Sequence, residues 1–149
     1  MQSEPPLLIT IDHDDYHASR VGTTKDGSQF FVTTPFVPGH ENEPGREYIA
    51  VFLFDANGRF SEARIDDLGP RATLNAEAAR SLLDKRVAEL GPLDYGRIEV
   101  QPFAVERFGT TFGLVPRAPE HEDAGWWVEL QPGSCIAFHE PWGSGEYDT

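Results

Sequence analysis

The stretch EYIAVFLFDANGRFSEARID, residues 47–66, decides the fold. Residues 47–55 are apolar at nearly every position, which is typical of a strand buried on both faces. Asn57-Gly58 is the strongest short signal for a hairpin, because both residues tolerate the positive φ of a type I′ turn. The segment after the turn alternates apolar and polar side chains, as a half-exposed strand does. We therefore expect residues 48–54 to form the centre of a sheet.

One amphipathic helix is predicted over residues 76–90. Asn75 is a suitable N-cap, Glu77 suits the positive first turn, and Gly91-Pro92 ends the helix. An apolar stripe at helical spacing predicts that the helix packs on a sheet. That stripe consists of Ala79, Leu82, Leu83, Val87 and Leu90.

The rest of the chain reads mainly as strands joined by hairpin turns, which favours antiparallel pairing. Pro35 predicts an edge position or a bulge within a strand over residues 29–37, and Gly109-Thr110 predicts a turn. The predicted fold is a single α+β domain over residues 1–149. It has a mostly antiparallel sheet of about seven or eight strands, one long amphipathic helix packed on one face, and acidic, irregular ends.

The net charge of −13 is unevenly distributed along the chain. Residues 1–19 carry four acids and no base, and residues 118–149 carry seven acids and no base. Residues 20–117 hold the other fourteen acids and all twelve bases. Such acidic ends repel nucleic acid and anionic membranes, and they attract basic proteins or cations.

The sequence predicts a cytoplasmic protein that does not bind a membrane. No apolar run approaches the ~20 residues of a membrane span, and the first twelve residues, MQSEPPLLITID, lack the features of a secretory signal. The single cysteine, Cys135, cannot form an internal disulfide and fits a reducing compartment. It falls inside a predicted strand, where we expect a buried, unreactive thiol.

A candidate metal site lies in residues 11–17, IDHDDYH. If the preceding strand continues, His13, Asp15 and His17 share one face. If a helical turn follows instead, His13 and His17 share a face at the i,i+4 spacing of many zinc ligands. His139, at the end of a predicted strand, is a further candidate ligand. A solvated acidic segment without any metal is the simpler interpretation of the same residues.

A short apolar strand that runs into Asp-x-Asp or Asp-His resembles the first motif of several metallohydrolase families. The resemblance covers a handful of residues, and none of the other histidines sits in a recognisable second motif. It implies an alternative function for this chain. That alternative is a small hydrolase that depends on a divalent metal and uses His13, Asp15 and His17.

Aromatic residues cluster in the acidic C-terminal segment, where Trp126, Trp127, Trp142 and Tyr147 occur. Adjacent tryptophans on a strand point to opposite faces, so one of the first two is expected in the core and the other outside it. Exposed Trp and Tyr are enriched at binding hot spots. The predicted binding residues are therefore Trp127, Trp142 and Tyr147, with packing at the end of the sheet as the alternative role of the tryptophans.

The leading functional hypothesis is a non-enzymatic, acidic interaction protein that needs no cofactor. An immunity-like or inhibitor-like protein that masks a basic protein partner is its concrete form, because charge complementarity speeds association. The metal-dependent hydrolase is the alternative. A small-ligand site between helix and sheet is a third hypothesis, for which the sequence offers no signal in either direction.

Overall fold

The computed structural model describes residues 4–149, and the chain is mostly β, with 44% in strands and 11% helical. Within those residues there are twelve strands, one 3-10 turn and one α-helix of 13 residues. The strands are β1 (Ile9–Ile11), β2 (Val21–Thr24), β3 (Gln29–Thr33), β4 (Phe36–Val37), β5 (Arg46–Phe54), β6 (Phe60–Pro70), β7 (Leu93–Tyr95), β8 (Ile98–Val100), β9 (Phe103–Arg107), β10 (Thr110–Arg117), β11 (Trp127–Gln131) and β12 (Ala137–His139). The 3-10 turn spans Arg71–Thr73, and the helix α1 spans Ala76–Ala88.

The predicted fold class, one sheet of seven or eight strands under one long helix, is wrong. The strands form three separate antiparallel sheets, and the helix is short. In the central sheet β5 pairs with β6 on one side and with β3 and β4 on the other, and the sheet continues through β2 to β7. The second sheet runs β9-β10-β11-β12, and β1 pairs with β8. Alternation and turn residues reveal single strands, but long-range pairing decides which sheet each strand joins.

Strand β5 is the centre of the structure, and its side chains alternate between two separate cores. One face packs toward the second sheet and the β1–β8 pair, and the other packs toward α1. The first face presents Tyr48, Ala50, Phe52 and Phe54, and the second presents Ile49, Val51 and Leu53. The predicted burial of residues 48–54 on both faces is confirmed.

Strands β3 and β4 are two parts of one strand that is interrupted beside β5. Their residues pair with β5 in one continuous register. The break falls at Pro35, which has no amide hydrogen to donate, although its carbonyl accepts a hydrogen bond from the Tyr48 amide at 3.0 Å. The sequence predicted an edge position or a bulge at Pro35. The continuous register shows no bulge, and β4 lies at an edge of the sheet, where it pairs only with β5 among the described strands.

A hairpin joins β5 to β6, but the predicted type I′ turn at Asn57-Gly58 is wrong, because only Gly58 has a positive φ, of 87°. The Asp55 carboxylate accepts the backbone amides of Asn57 and Arg59, each at 2.9 Å. This cap holds a longer, three-residue turn, in which the Asp55 amide donates to the Arg59 carbonyl at 2.8 Å and the Gly58 amide donates to the Asp55 carbonyl at 3.0 Å. Gly58 also packs on β8, where an added Cβ would collide with the carbonyl oxygen of Glu99.

The second sheet closes the core on the face of β5 that points away from the helix. Aromatic stacking joins the two layers: the rings of Phe60 and Phe103 lie parallel with centroids 4.3 Å apart, and Phe52 meets Phe103 at 4.8 Å. The fully buried side chains that the second sheet contributes are Phe112, Leu114, Val128, Leu130 and Phe138. The result is a two-layer β core with a helix outside it.

Helix α1 covers the other face of the central sheet. The predicted N-cap is confirmed, since the Asn75 side chain accepts the Ala78 amide at 3.0 Å. The helix ends at Ala88, two residues before the predicted end at residue 90, and only Leu83 on it is fully buried. No helix within residues 4–149 is long and apolar enough to cross a bilayer.

The hairpin between β9 and β10 turns at Phe108-Gly109, one residue earlier than the predicted Gly109-Thr110. Both turn residues have a positive φ, of 54° and 69°, as in a type I′ turn. This conformation costs a non-glycine residue about 1–2 kcal/mol. The sequence did not predict a type I′ turn at Phe108-Gly109, because asparagine, not phenylalanine, is the usual residue before the glycine of such a turn.

We expect Gly58→Ala to destabilise the protein more than Gly27→Ala. Both glycines have a φ of 87°, so each alanine pays a conformational cost of about 1–2 kcal/mol. Nothing lies within 4 Å of a Cβ added at Gly27, whereas a Cβ at Gly58 collides with the backbone of β8. Urea unfolding should show an additional loss of at least about 1 kcal/mol for Gly58→Ala. Equal losses would contradict the close packing of this hairpin on β8.

Candidate functional site

The C-terminal tail, residues 140–149, is folded onto the domain alongside β1. The amide of Thr10 donates to the carbonyl of Trp142 at 2.8 Å, and the amide of Asp12 donates to the carbonyl of Gly145 at 3.0 Å. These bonds alternate with the pairing of β1 to β8 on its other side. The tail therefore completes the hydrogen bonding of β1, and it brings one acidic end of the chain next to the other.

The same tail also covers β12. Asp148 and Ala137 exchange backbone hydrogen bonds of 2.8 and 2.9 Å as an isolated antiparallel bridge. Close packing fixes the approach, because a Cβ added to Gly145 would collide with the carboxylate of Asp12. Edges of two different sheets are thus joined by one irregular segment.

Tyr147 connects the tail to the turn that follows β1. Its hydroxyl donates to one oxygen of Asp14 and accepts the amide of His17 at 3.1 Å. The other oxygen of Asp14 accepts the amides of Tyr16 at 2.9 Å and Ala18 at 3.0 Å. Asp14 therefore orders its own turn and holds the tail at the same time.

These contacts set the ionisation of the pair. Burial raises the pKa of Asp14, but the hydrogen bonds from Tyr147 and from the two backbone amides outweigh it, so the pKa lies below its ordinary value. Burial, followed by the hydrogen bond to the Asp14 carboxylate, raises the pKa of Tyr147 to about 12. A neutral phenol therefore donates to an ionised carboxylate throughout the neutral pH range.

Five carboxylates from the two ends of the chain line one surface, which we term the acidic face. They surround two adjoining depressions of about 470 and 200 Å³. Both depressions are bordered by Glu146, Tyr147 and Asp148. The carboxylates of the acidic face are Asp12, Asp14, Glu140, Glu146 and Asp148.

Basic side chains contact two of the five carboxylates of the acidic face. Arg97 pairs with Asp12 at 2.5 Å, and Nδ1 of His139 lies 3.1 Å from the Asp148 carboxylate. Glu140 and Glu146 are both exposed, and neither pairs with a cationic residue in the part of the chain that the structure describes. The rim of the depressions is therefore negative.

The structure places the three predicted binding aromatics in two environments. Trp142 and Tyr147 are half-buried and pack against the main core. Trp127 lies on the outer face of the second sheet, where its Nε1 donates to Glu129 at 2.9 Å and its neighbour on β12 is His139. Trp127 thus borders the acidic face, while the other two hold the tail in place.

Tyr16 is an aromatic residue of the acidic face that the sequence did not reveal. Its side chain is 65% exposed, and it lines the larger depression beside Asp12 and Asp14. The ring centroid lies 4.0 Å from that of His17. The residue occupies an irregular turn, where no periodic pattern indicates which way a side chain points.

The structure does not bring together the candidate metal ligands His13, Asp15, His17 and His139. Strand β1 ends at Ile11 and an irregular turn follows, so neither the strand nor the helical arrangement forms. Nε2 of His13 is hydrogen bonded to the carbonyl of Ser19 at 3.1 Å, and His139 pairs with Asp148. Within residues 4–149, no group of three or more His, Cys, Asp or Glu side chains is placed to hold a metal ion.

Comparison with protein-family models, with curated proteins and with solved structures finds no significant match to this chain. Geometry and charge of the chain's own residues are therefore the grounds on which a function is proposed below.

We expect Tyr147→Phe to lower the free energy of unfolding by about 1–3 kcal/mol at neutral pH, because it removes a hydrogen bond to an ionised carboxylate. The folded-state pKa of Asp14 is lowered. Its stabilising contribution is therefore present above the ordinary carboxyl pKa of about 4, and is lost as the pH falls through the folded-state value. The difference between wild type and variant should shrink in acid.

Tyr16→Phe is the matched control, since it removes a tyrosine hydroxyl that lies on an exposed ring. It should change the free energy of unfolding by less than about 0.5 kcal/mol. Denaturant unfolding of both variants at several pH values makes the comparison. An equal loss in the two variants, or a Tyr147→Phe loss that does not change with pH, would contradict the role given to the Asp14–Tyr147 pair.

Proposed function

We propose that this chain is an interaction protein that binds a basic protein partner through its acidic face. An immunity-like or inhibitor-like role, in which the acidic face masks the basic surface of a nuclease or toxin, is the concrete form of the proposal. The observation that carries it is the docking of the C-terminal tail on β1, which gathers carboxylates from both ends of the chain on one surface.

The distribution of charge supports a protein partner of opposite sign. Glu140 and Glu146 lie exposed at the rim, and neither forms an ion pair within residues 4–149. Charges of this kind act mainly on the rate of encounter with a basic partner, and they disfavour nucleic acid and anionic membranes. The ion pair of Arg97 with Asp12 is half-exposed, so an arginine or lysine of the partner could replace Arg97 at little cost.

Aromatic side chains at the border of the acidic face support the same proposal. Tyr16 is exposed within the larger depression, and Trp127 lies beside His139 at the border of the smaller one. An aromatic ring next to carboxylates offers both an apolar surface and cation–π attraction to arginine or lysine side chains.

The proposal places the protein in the cytoplasm, without a cofactor. Cys135 is half-buried, and burial raises the pKa of its thiol, which makes it a poor nucleophile. No observation favours the metal-dependent hydrolase as a second function, because His13, Asp15 and His17 are not arranged around a common point.

The test compares two double variants that each remove two negative charges. Glu140→Gln with Glu146→Gln alters the rim of the acidic face, and Glu41→Gln with Glu43→Gln alters an exposed loop that does not line it. The immobilised proteins are used to capture partners from an extract of the source cells, and captured proteins are identified by mass spectrometry. We expect a basic protein that binds wild type and the loop variant, and that is released by high salt.

Binding kinetics with the identified partner complete the test. The rim variant should lower the association rate constant by about tenfold at low salt and change the dissociation rate constant less, because rim charges steer encounter. Capture of acidic proteins, binding that is insensitive to salt, or an equal effect of the loop variant would each contradict the proposal.

A further inference from the structure

Strand β6 is the longest strand of the structure, and it forms one edge of the central sheet. It spans eleven residues and pairs with β5 on one side, and within residues 4–149 no strand pairs with its other side. The other edge strands of this sheet, β4 and β7, have only two and three residues. An unpaired edge of this length offers backbone donors and acceptors to an added strand.

Hydrogen bonds on either side of β5 show which way its backbone groups point. The amide of Tyr48 donates to the carbonyl of Pro35, on the side away from β6, at 3.0 Å. The amide of Asp55 donates to the carbonyl of Arg59, on the side of β6, at 2.8 Å. Because the direction alternates along a strand, the odd-numbered residues of β5 direct their backbone groups toward β6.

The register of β5 with β6 then identifies the free backbone groups of the edge. The residues of β6 that lie opposite odd-numbered residues of β5 are bonded to that strand, and they are Glu62, Arg64 and Asp66. The alternate residues Ala63, Ile65 and Asp67 therefore direct their N–H and C=O groups outward. Register shifts bound this run at both ends, and beyond it the amide of Phe60 is already bonded to the side chain of Gln101 at 2.7 Å.

One two-fold register pairs all three outward residues with a second copy of β6. In it, Ile65 lies opposite Ile65 of the other chain, and Ala63 lies opposite Asp67. Moving the axis by two residues in either direction would bring residue 61 or 69, at a register shift, into the pairing. The free run is therefore self-complementary in one register, as a two-fold axis requires.

The same register places opposite charges across the contact. Arg64 of each chain lies opposite Asp66 of the other, on the face of the sheet that carries α1. Arg86 of the helix holds the Asp66 carboxylate through two bonds of 2.8 and 2.9 Å, while the side chain of Arg64 is 41% exposed. Directly opposed charges of opposite sign stabilise a strand pair, and like charges destabilise it.

We propose that a second copy of this chain pairs with the edge of β6, antiparallel and about a two-fold axis at Ile65, so that the two central sheets become one. The contact lies far from the acidic face. Phe60 of β6 stacks on Phe103 of β9, and β9 and β12 are the two ends of the second sheet, with the tail on β12. Both acidic faces stay free in the dimer, so this inference is independent of the proposed function.

Hydrogen exchange and sedimentation of the wild-type chain test the pairing. In about 0.15 M salt, which screens the repulsion between two chains of charge −13, the mass should rise from 16.6 kDa toward twice that value. A one-strand contact is small, so we expect a dissociation constant of about 10 μM to 1 mM. Over the same concentrations, exchange should slow at the amides of Ala63, Ile65 and Asp67, with little change at Arg64, which β5 already protects.

Charge reversal tests the register. Arg64→Glu and Asp66→Arg each place like charges opposite one another in their own dimers, so each should weaken self-association by about tenfold or more. A mixture of the two variants restores both opposite-charge pairs and should associate about as tightly as wild type. Lys25→Glu is the matched control, because it makes the same charge change in the β2–β3 turn, beyond β5 from the edge, and should have no effect.

Three results would overturn the proposal. They are a wild type that stays monomeric up to about 1 mM, concentration-dependent protection that does not fall on the three outward amides, and a mixture of folded variants that associates no better than either alone. Asp66→Arg also loses the ion pair with Arg86, so thermal melting checks that it is folded. The exchange measurement uses wild type alone, and it decides the proposal even where that variant does not fold.

Discussion

The structure depends on the burial of both faces of β5. Successive side chains of a strand point to opposite sides, so β5 supplies alternate residues to two cores, one against the second sheet and one against α1. A slip by one residue would exchange the two sets, placing aromatic rings where the helix now packs. The turn after β5 helps to fix this register, because the Asp55 carboxylate caps the turn and Gly58 allows the turn to pack closely on β8.

Local patterns predicted the parts of the fold that local physics determines. The doubly apolar run of β5, the Asn75 cap and the edge position of the strand beyond Pro35 each follow from the residues themselves. The assembly of strands into three sheets could not be predicted in this way, because alternation indicates that a strand is half-buried but not against what. Two turns also differed from expectation. The Asp55 side chain caps the turn where a type I′ turn was expected, and Phe108 occupies a turn position where asparagine is usual.

The sequence predicted the negative charge of the candidate site but not its geometry. The acidic character of both chain ends is evident from the sequence, whereas their meeting depends on backbone hydrogen bonds between β1 and the tail, which no side-chain pattern records. Trp142 and Tyr147 occur in an irregular segment, so alternation could not show that they pack inward. The histidines near the N-terminus resembled metal ligands in composition, yet His13 is hydrogen bonded to a backbone carbonyl and the His17 ring contacts the rings of Tyr16 and Tyr147.

The acidic face is negative, because basic side chains contact only Asp12 and Asp148 among its five carboxylates in the described part of the chain. Everything proposed for the acidic face requires that the tail is held on β1. Amide hydrogen exchange measured by NMR at Thr10 and Asp12, whose amides donate to tail carbonyls, tests this most directly. Docking predicts that both amides exchange as slowly as those that pair β1 with β8, whereas exchange as fast as in the exposed loop at residues 38–44 would contradict it.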